Sequence, residues 1–235
     1  MPNQNITTLT LFGLRAGHWR WGLAQMGTMP THLKNIKGLQ FFKLLGSGKG
    51  RVFSLTPDFY LYGLMAVWED EAMADNFFEQ SNILKEYQEH SHESWTVKLQ
   101  PLKAHGLWDG RNPFIPTAEI LKPDGKMAVL TRASINLRAL PAFWKHSRQT
   151  SKALEQATGL VGAVGLGELP FIRQATFSIW ETEEHMVQYA YKNAHHQQVI
   201  RKTRQDNWYA EELFARFRVI SATGTWKGRN PLENI

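Results

Sequence analysis

The chain has 235 residues, of which 43% are hydrophobic and 12% are aromatic, which suits a packed core and argues against a disordered protein. Cysteine is absent, so disulfides, thiolate metal sites and cysteine nucleophiles are excluded. The net charge of +6 comes from scattered Lys and Arg residues, which favours solvated helix faces over a nucleic-acid surface.

The first half of the chain predicts elements in the order β-α-β-β-α-β. Residues Ile6 to Phe12 alternate Thr with Leu or Ile, as a strand does. The next stretch is helical in composition, and Pro30 is expected to end or kink that helix. The predicted elements are strand 6–12, helix 19–35, strands 38–45 and 59–68, helix 69–92 and strand 95–102.

The second half predicts the same order of elements, which is that of a ferredoxin-like split βαβ unit. Its predicted elements are strand 127–134, helix 139–158, strands 160–166 and 172–180, helix 182–206 and strand 214–221.

An internal repeat supports this duplication. The segment Gly106–Pro113, GLWDGRNP, returns as GTWKGRNP in Gly224–Pro231, with six of eight positions identical. Further pairs keep the same order along the chain: Leu9-Thr10 with Leu130-Thr131, Gly38-Leu39 with Gly159-Leu160, Leu45-Gly46 with Leu166-Gly167, Val67-Trp68-Glu69 with Ile179-Trp180-Glu181, and Trp95 with Trp208. We therefore predict a first half over 1–113, a linker over 114–126 and a second half over 127–235.

The predicted fold class is α+β, with two tandem ferredoxin-like units packed as a pseudo-two-fold dimeric α+β barrel. A four-stranded sheet with helices on one face leaves its other face bare, and two facing sheets bury those bare faces against each other. A ligand is expected either between a sheet and its helices or between the two sheets.

The clearest difference between the copies is a pair of histidines. When the copies are aligned on Trp68 and Trp180, His195 and His196 fall opposite the aliphatic residues Ile83 and Leu84. A neutral imidazole that points into an apolar cavity is a natural axial ligand for haem iron or another metal. The alternative is two solvated histidines on a polar helix.

Lys43 is the second candidate residue. It lies in an apolar strand and shares a face with Phe41 and Leu45, so it either extends to an edge or serves a ligand anion. The glycine-rich segment 46–50 that follows lacks the spacing of a phosphate-binding loop and is interpreted as a hairpin loop.

Three segments carry a resemblance to a known family: Gln25–Gly27, Phe42–Gly48 and Trp208–Phe217. With the Trp-x-Gly tails, they make the chain similar to the spheroidene monooxygenase family of carotenoid ketolases over nearly its whole length. The resemblance implies a dimeric α+β barrel and a haem-containing, oxygen-dependent enzyme. It also implies a reaction that hydroxylates the end of an acyclic carotenoid and then forms a ketone.

The resemblance also implies roles for named residues. In the family pattern a histidine stands twelve residues before the Trp of the segment 208–217, and this position is His196. His196 is thus implied as the axial ligand of haem b iron, with the adjacent His195 as the alternative, and Lys43 is placed on the distal side or at a propionate. Electrons are expected from an external donor, since no flavin or nicotinamide motif is present.

The partners expected are a hydrophobic small molecule and O₂, with no nucleic acid, and a homo-oligomer is left open. No run of 18 apolar residues occurs and no signal peptide is visible, so a cytoplasmic location is expected, with peripheral contact to the membrane that dissolves the carotenoid. Two alternatives stay open: a haem enzyme of another class, dehydratase or peroxidase-like, and a haem-free barrel that binds a hydrophobic ligand.

Overall fold

The computed structural model describes residues 5–50, 52–116, 125–192, 203 and 205–233. The first half contains β1 (Ile6–Leu14), α1 (Trp19–Leu33), β2 (Leu39–Gly48), β3 (Pro57–Trp68), α2 (Glu71–Gln80), α3 (Asn82–His90) and β4 (Ser91–Gly106). The second half contains β5 (Met127–Ile135), a 3₁₀ turn (Leu137–Ala139), α4 (Leu140–Glu155), β6 (Leu160–Leu169), β7 (Arg173–Trp180), α5 (Glu183–Lys192) and β8 (Tyr209–Gly224). Residues 117–124 of the predicted linker lie outside the described residues, so the boundaries of the two halves stay a prediction.

The order of elements agrees with the sequence, with two differences in the helices of the first half. Pro30 lies inside α1, which continues to Leu33 because the Pro30 carbonyl still accepts a hydrogen bond from the Lys34 N–H. The helix predicted over 69–92 is two helices. The backbone at Ser81 is extended, and its hydroxyl accepts a hydrogen bond from the Leu84 N–H, so Ser81 caps the start of α3.

The strands form one closed barrel, which confirms the predicted fold class. Each half contributes a four-stranded antiparallel sheet, in the order β4-β1-β3-β2 in the first half and β8-β5-β7-β6 in the second. A long pairing of β4 with β8 joins one pair of sheet edges, and a short pairing of β2 with β6, at Gly46–Gly167 and Ser47–Leu166, joins the other.

The barrel interior is a packed core rather than a ligand site. Every strand contributes buried side chains to it, including Leu9, Leu45 and Trp95 from the first half and Leu130 and Phe177 from the second. Since closely packed interiors leave no room for a ligand, the space that can hold one lies outside the barrel, between the sheets and their helices.

The pairing of β4 with β8 corrects one match made from the sequence. Trp95 pairs with Gly224, and Gly106 pairs with Leu213. A two-fold rotation that exchanges the halves places Gly106 on Gly224, so it also exchanges their pairing partners, Leu213 and Trp95. Trp95 therefore corresponds to Leu213, and the predicted match of Trp95 with Trp208 is wrong. Trp208 precedes β8 and packs among Ile135, Ala139 and Phe143 on the helix side.

The two repeated tails close the barrel symmetrically. The Glu211 carboxylate accepts hydrogen bonds from the N–H groups of Asp109 and Gly110 in the first tail. The Glu93 carboxylate accepts the equivalent bonds from Lys227 and Gly228 in the second. Each tail thus fastens to the last strand of the opposite half, which gives the repeat a structural role.

Candidate functional site

An apolar cavity lies between the sheet of the second half and helices α4 and α5. We name it the helix-layer cavity, and its volume is about 130 Å³. Its floor consists of side chains from β5 and β7, including Val129, Thr131, Ala133, Thr176 and Ser178, and its roof of side chains from the helices, including Phe143, Leu154, Met186 and Tyr189. No residue of this described lining is charged.

Small side chains on the floor create the cavity. Ala133 of β5 pairs with Gln174 and Glu212, and Phe12 of β1 pairs with Tyr62 and Ser94. These registers make Ala133 the counterpart of Phe12.

A second pair on the central strands shows the same difference. Trp68 and Trp180 are counterparts, so Thr176 of β7 corresponds to Leu64 of β3. In the first half, Phe12 and Leu64 fill the space between sheet and helices, with the Phe12 ring 4.4 Å from that of Tyr87.

Six hydroxyl-bearing residues and one glutamine give the cavity its polar character: Thr131, Thr150, Gln174, Thr176, Ser178, Tyr189 and Tyr209. The Thr176 hydroxyl is buried and has no hydrogen-bond partner among the described residues. Burial raises the pKa of the Tyr189 phenol to about 12, and burial, reinforced by the Glu212 carboxylate, also raises the pKa of Tyr209. Both phenols are therefore neutral near pH 7 and suited to donate hydrogen bonds. A tyrosine that binds a metal does so as the phenolate, so neither phenol is suited to that role.

The histidines predicted to bind haem, His195 and His196, lie outside the described residues. The described roof ends in α5, from which Met186, Tyr189 and Ala190 line the cavity. No histidine is among the described lining residues, and the described part of the chain holds no cluster of three metal-ligating side chains.

Lys43 lies apart from this cavity. Its neighbours Phe41 and Leu45 point into the barrel core, as the alternation predicted. Its ammonium group forms ion pairs with the carboxylates of Asp109 and, at 3.0 Å, Glu168. The predicted contact of Lys43 with a ligand anion therefore has no support in its surroundings, since two protein carboxylates already neutralise it.

Lys43 belongs to an ionic cluster at one end of the barrel, made of Lys43, Asp109, Arg132, Glu168, Arg173 and Glu211. Its centre is Arg132, whose side chain is 1% exposed and pairs with Glu168, at 3.2 Å, and with Glu211. Arg132 was not among the site residues predicted from the sequence. The available signal was its position in a strand where the matched residue of the first copy is Leu11.

Neighbouring donors favour the charged form of two carboxylates of the ionic cluster, Glu211 and Asp109. Burial alone would raise the pKa of Glu211, but the N–H groups of Gly110 and Asp109 and the Arg132 guanidinium outweigh it and lower that pKa. Burial alone would also raise the pKa of Asp109. The Lys43 ammonium group, together with the nearby arginines Arg173 and Arg132, outweighs burial and lowers that pKa. The balanced charges indicate a structural closure of the barrel rather than a binding site.

Comparisons with known proteins identify the family of this chain. No protein-family model matches it. It is 36% identical over 216 residues to the spheroidene monooxygenase of Rhodobacter capsulatus, an alignment that covers 91% of this chain and 89% of that protein. It is 37% identical over 211 residues to the spheroidene monooxygenase of Rubrivivax gelatinosus, covering 90% and 80%. The chain belongs to the spheroidene monooxygenase family.

As a member of the spheroidene monooxygenase family, the chain is a monooxygenase, which implies a small-molecule substrate and O₂. Its fold resembles that of an aldoxime dehydratase solved in complex with butyraldoxime. The TM-score is 0.60 at 9% identity, over 94% of this chain and 81% of that one, and at this identity the likeness establishes the fold alone. Within the described residues, no helix has the length and apolar composition needed to cross a membrane.

Proposed function

We propose that this chain is a haem-dependent monooxygenase that oxidises the end of an acyclic carotenoid, by hydroxylation and then ketone formation. The helix-layer cavity is the observation that carries the proposal. It is apolar and uncharged, and it lies where the second copy replaces large floor residues such as Phe12 by small ones such as Ala133. A hydrocarbon substrate needs such a lining, since a charged group facing it would lose hydration without gaining a partner.

The lining also suits haem b. Its floor is largely apolar with short side chains, and the Thr176 hydroxyl has no hydrogen-bond partner among the described residues. At about 130 Å³ the cavity holds only part of a porphyrin, so a bound haem would extend beyond the described lining. His196, or its neighbour His195, would supply the imidazole that holds the iron, because both follow closely in the chain after α5, which forms part of the roof. When bound, haem supplies the oxygen-activating chemistry that side chains alone do not have.

The remaining side chains of the cavity control its surroundings. The apolar residues exclude water, which limits side reactions at a bound substrate. The neutral phenols of Tyr189 and Tyr209 and the Thr176 hydroxyl are among the groups that can donate a hydrogen bond to a bound ligand. The Lys43 role proposed from the family resemblance is the least supported, because Lys43 does not line this cavity.

The proposal includes a source of electrons and of substrate. Incorporating one atom of O₂ into a substrate requires two electrons, which we assign to an external donor. A carotenoid dissolves in the bilayer, so we place the protein on the cytoplasmic side, in peripheral contact with the membrane surface.

An absorption spectrum tests haem binding and its ligand. We expect a Soret band after reconstitution with haemin, its loss or a strong shift in His196→Ala, and retention of the band in the matched control His195→Ala. An unchanged spectrum in His196→Ala, with loss in His195→Ala, would transfer the role to His195. A wild-type protein without any Soret band would contradict the haem proposal and favour the haem-free barrel.

Product analysis tests the reaction. In a host that accumulates lycopene or spheroidene, expression of the protein is expected to yield a hydroxylated and then a keto carotenoid. Haem-loaded protein that receives electrons and leaves the carotenoid unchanged would overturn the carotenoid reaction and favour a haem enzyme of another class.

A further inference from the structure

A second cavity lies where the two sheets meet at their shorter junction. We name it the edge cleft. Strands β2 and β6 form its floor, and α1, the loop 52–56 and the turn between β6 and β7 form its walls. Its volume is about 230 Å³, larger than that of the helix-layer cavity.

The mouth of the edge cleft is ringed by exposed apolar side chains. Leu23, Leu55, Phe59 and Phe171 line the cleft and are at the same time among the most exposed large hydrophobic residues described, with Leu55 at 57%. Scattered exposed apolar residues are common, but their concentration around one opening marks a site for an apolar ligand.

The lining of the edge cleft also contains two carboxylates, which already have protein partners. Glu168 pairs with Lys43 and Arg132, and Asp58 accepts a hydrogen bond from the Tyr60 N–H.

Glycine keeps the floor of the edge cleft open. The junction of β2 and β6 has only two residue pairs, and one of them is Gly46 with Gly167. A Cβ atom added to Gly46 would meet nothing closer than the Gly167 carbonyl oxygen, at 3.9 Å. No close contact of a Cβ atom thus requires glycine there, and its absent side chain leaves space in the cleft.

The edge cleft adjoins the helix-layer cavity. Gln174 lines both, and the loop residues Val52 and Phe53 line the cleft and the cavity, respectively. Two buried hydroxyls of the cleft lining, those of Ser47 and Tyr62, have no hydrogen-bond partner in the described part of the chain. They are available to a polar substituent on a bound molecule.

We propose that the edge cleft binds the non-reacting length of an extended isoprenoid chain whose reacting end lies in the helix-layer cavity. This inference rests on the proposed function. An acyclic carotenoid is far too long for a cavity of about 130 Å³, so most of its polyene must lie elsewhere on the protein. Binding energy from this remote part would position the reacting end.

Filling the floor of the edge cleft tests the inference. In Gly46→Ile the new side chain occupies the cleft, so we expect carotenoid affinity to fall roughly tenfold or more. The quenching of tryptophan fluorescence by the carotenoid measures this affinity. Binding of a short acyclic terpene alcohol, which needs only the helix-layer cavity, is expected to stay unchanged, as is the Soret band. Gly46→Ala is the matched control and is expected to bind both ligands almost as the wild type does.

A rim variant gives a second measurement that leaves the strand pairing intact. Leu55→Asn removes an exposed apolar contact, and we expect carotenoid affinity to fall severalfold while the terpene alcohol binds as before. Wild-type carotenoid affinity in both Gly46→Ile and Leu55→Asn would overturn this inference alone, and so would equal losses for the long and short ligands. A wild-type protein that binds no carotenoid would overturn the proposed function as well.

Discussion

The two halves of the barrel share their strand order but differ in the layer between sheet and helices. In the first half, this layer is filled by large side chains, with Phe12 against Tyr87 and Trp68 against Phe77. In the second half, the same layer contains the helix-layer cavity. The barrel interior, by contrast, is packed by residues from both halves.

This difference shows how a duplicated fold can separate stability from function. The first copy keeps large, packed side chains at the positions that are small in the second copy, and it supports the shared barrel, so the second copy can lose packing there. A cavity costs stability through lost contacts, and the packed first half and the common interior offset that cost. The site is thus made by removing side chains as much as by adding functional ones.

Restoring the residue of the first half should abolish the site. Ala133→Phe places a ring in the helix-layer cavity, as Phe12 does in the first half, and displaces the space for cofactor and substrate. We expect the Soret band after haemin reconstitution to be lost and carotenoid oxidation to fall about a hundredfold or more. Ala133→Ser, which keeps the cavity open, is the control. A haem-loaded, active Ala133→Phe protein would show that the site lies elsewhere.

The reverse change in the first half should damage stability without touching the site. Phe12→Ala removes a buried ring that packs on Tyr87, so the free energy of unfolding is expected to fall by about 3–5 kcal/mol. Urea unfolding measures this change. The Soret band of the folded variant should match that of the wild type. Loss of haem by a folded Phe12→Ala protein would contradict the separation of roles between the halves.

Much of the scaffold could be predicted from the sequence, because the repeat fixes equivalent positions in the two copies. The matched tails and the pairs Gly38 with Gly159 and Trp68 with Trp180 are sufficient to predict two like units, and facing sheets then follow from burial. The match of Trp95 with Trp208 failed for a specific reason. The offset between the copies rises from 112 at Trp68 and Trp180 to 118 in the tails, since the connection before β8 is longer than that before β4.

The helix-layer cavity was partly predictable. The same alignment sets Phe12 against Ala133 and Leu64 against Thr176, and both differences are visible in the printed sequence. The edge cleft was not predictable, because its walls meet only when β2 pairs with β6, and the local pattern of a strand does not reveal its partner across halves. The isolated charge of Arg132 was visible, but its carboxylate partners come from separate segments of the chain.

The two halves also differ at one end of the barrel, where the ionic cluster lies. Arg132 occupies the position of Leu11 in the first copy. Arg132→Leu would remove the guanidinium partner of two carboxylates, leaving Glu168 with Lys43 and Glu211 with the backbone N–H groups of the first tail. We expect the free energy of unfolding to fall by about 3 kcal/mol at neutral pH, the low end for a broken buried pair because both carboxylates are partly exposed.

Lowering the pH should reduce the difference in unfolding free energy between the wild type and Arg132→Leu. The folded-state pKa of Glu211 is lowered, so its contribution is present above its ordinary value of 4.5 and is lost as the pH falls through the folded-state pKa. In the variant, part of that lowering is removed. Urea unfolding of both proteins between pH 7 and about pH 3 measures the effect. A gap that stays constant over this range would show that Arg132 contributes by packing alone.

The smallest expected effect concerns the hydroxyl of Thr176, whose counterpart Leu64 is apolar. A buried hydroxyl without a partner is costly, so Thr176→Val is expected to raise the stability of the haem-free protein by up to about 1 kcal/mol. If the hydroxyl serves a bound ligand, the same change lowers turnover, by about tenfold for one lost hydrogen bond. Thr176→Ser keeps the hydroxyl and should retain activity. Thermal unfolding and the rate of product formation together separate these effects. A gain in stability with full activity would show that the hydroxyl has no role in ligand binding. A gain in stability with lost activity would identify a group that the second copy retains for its ligand.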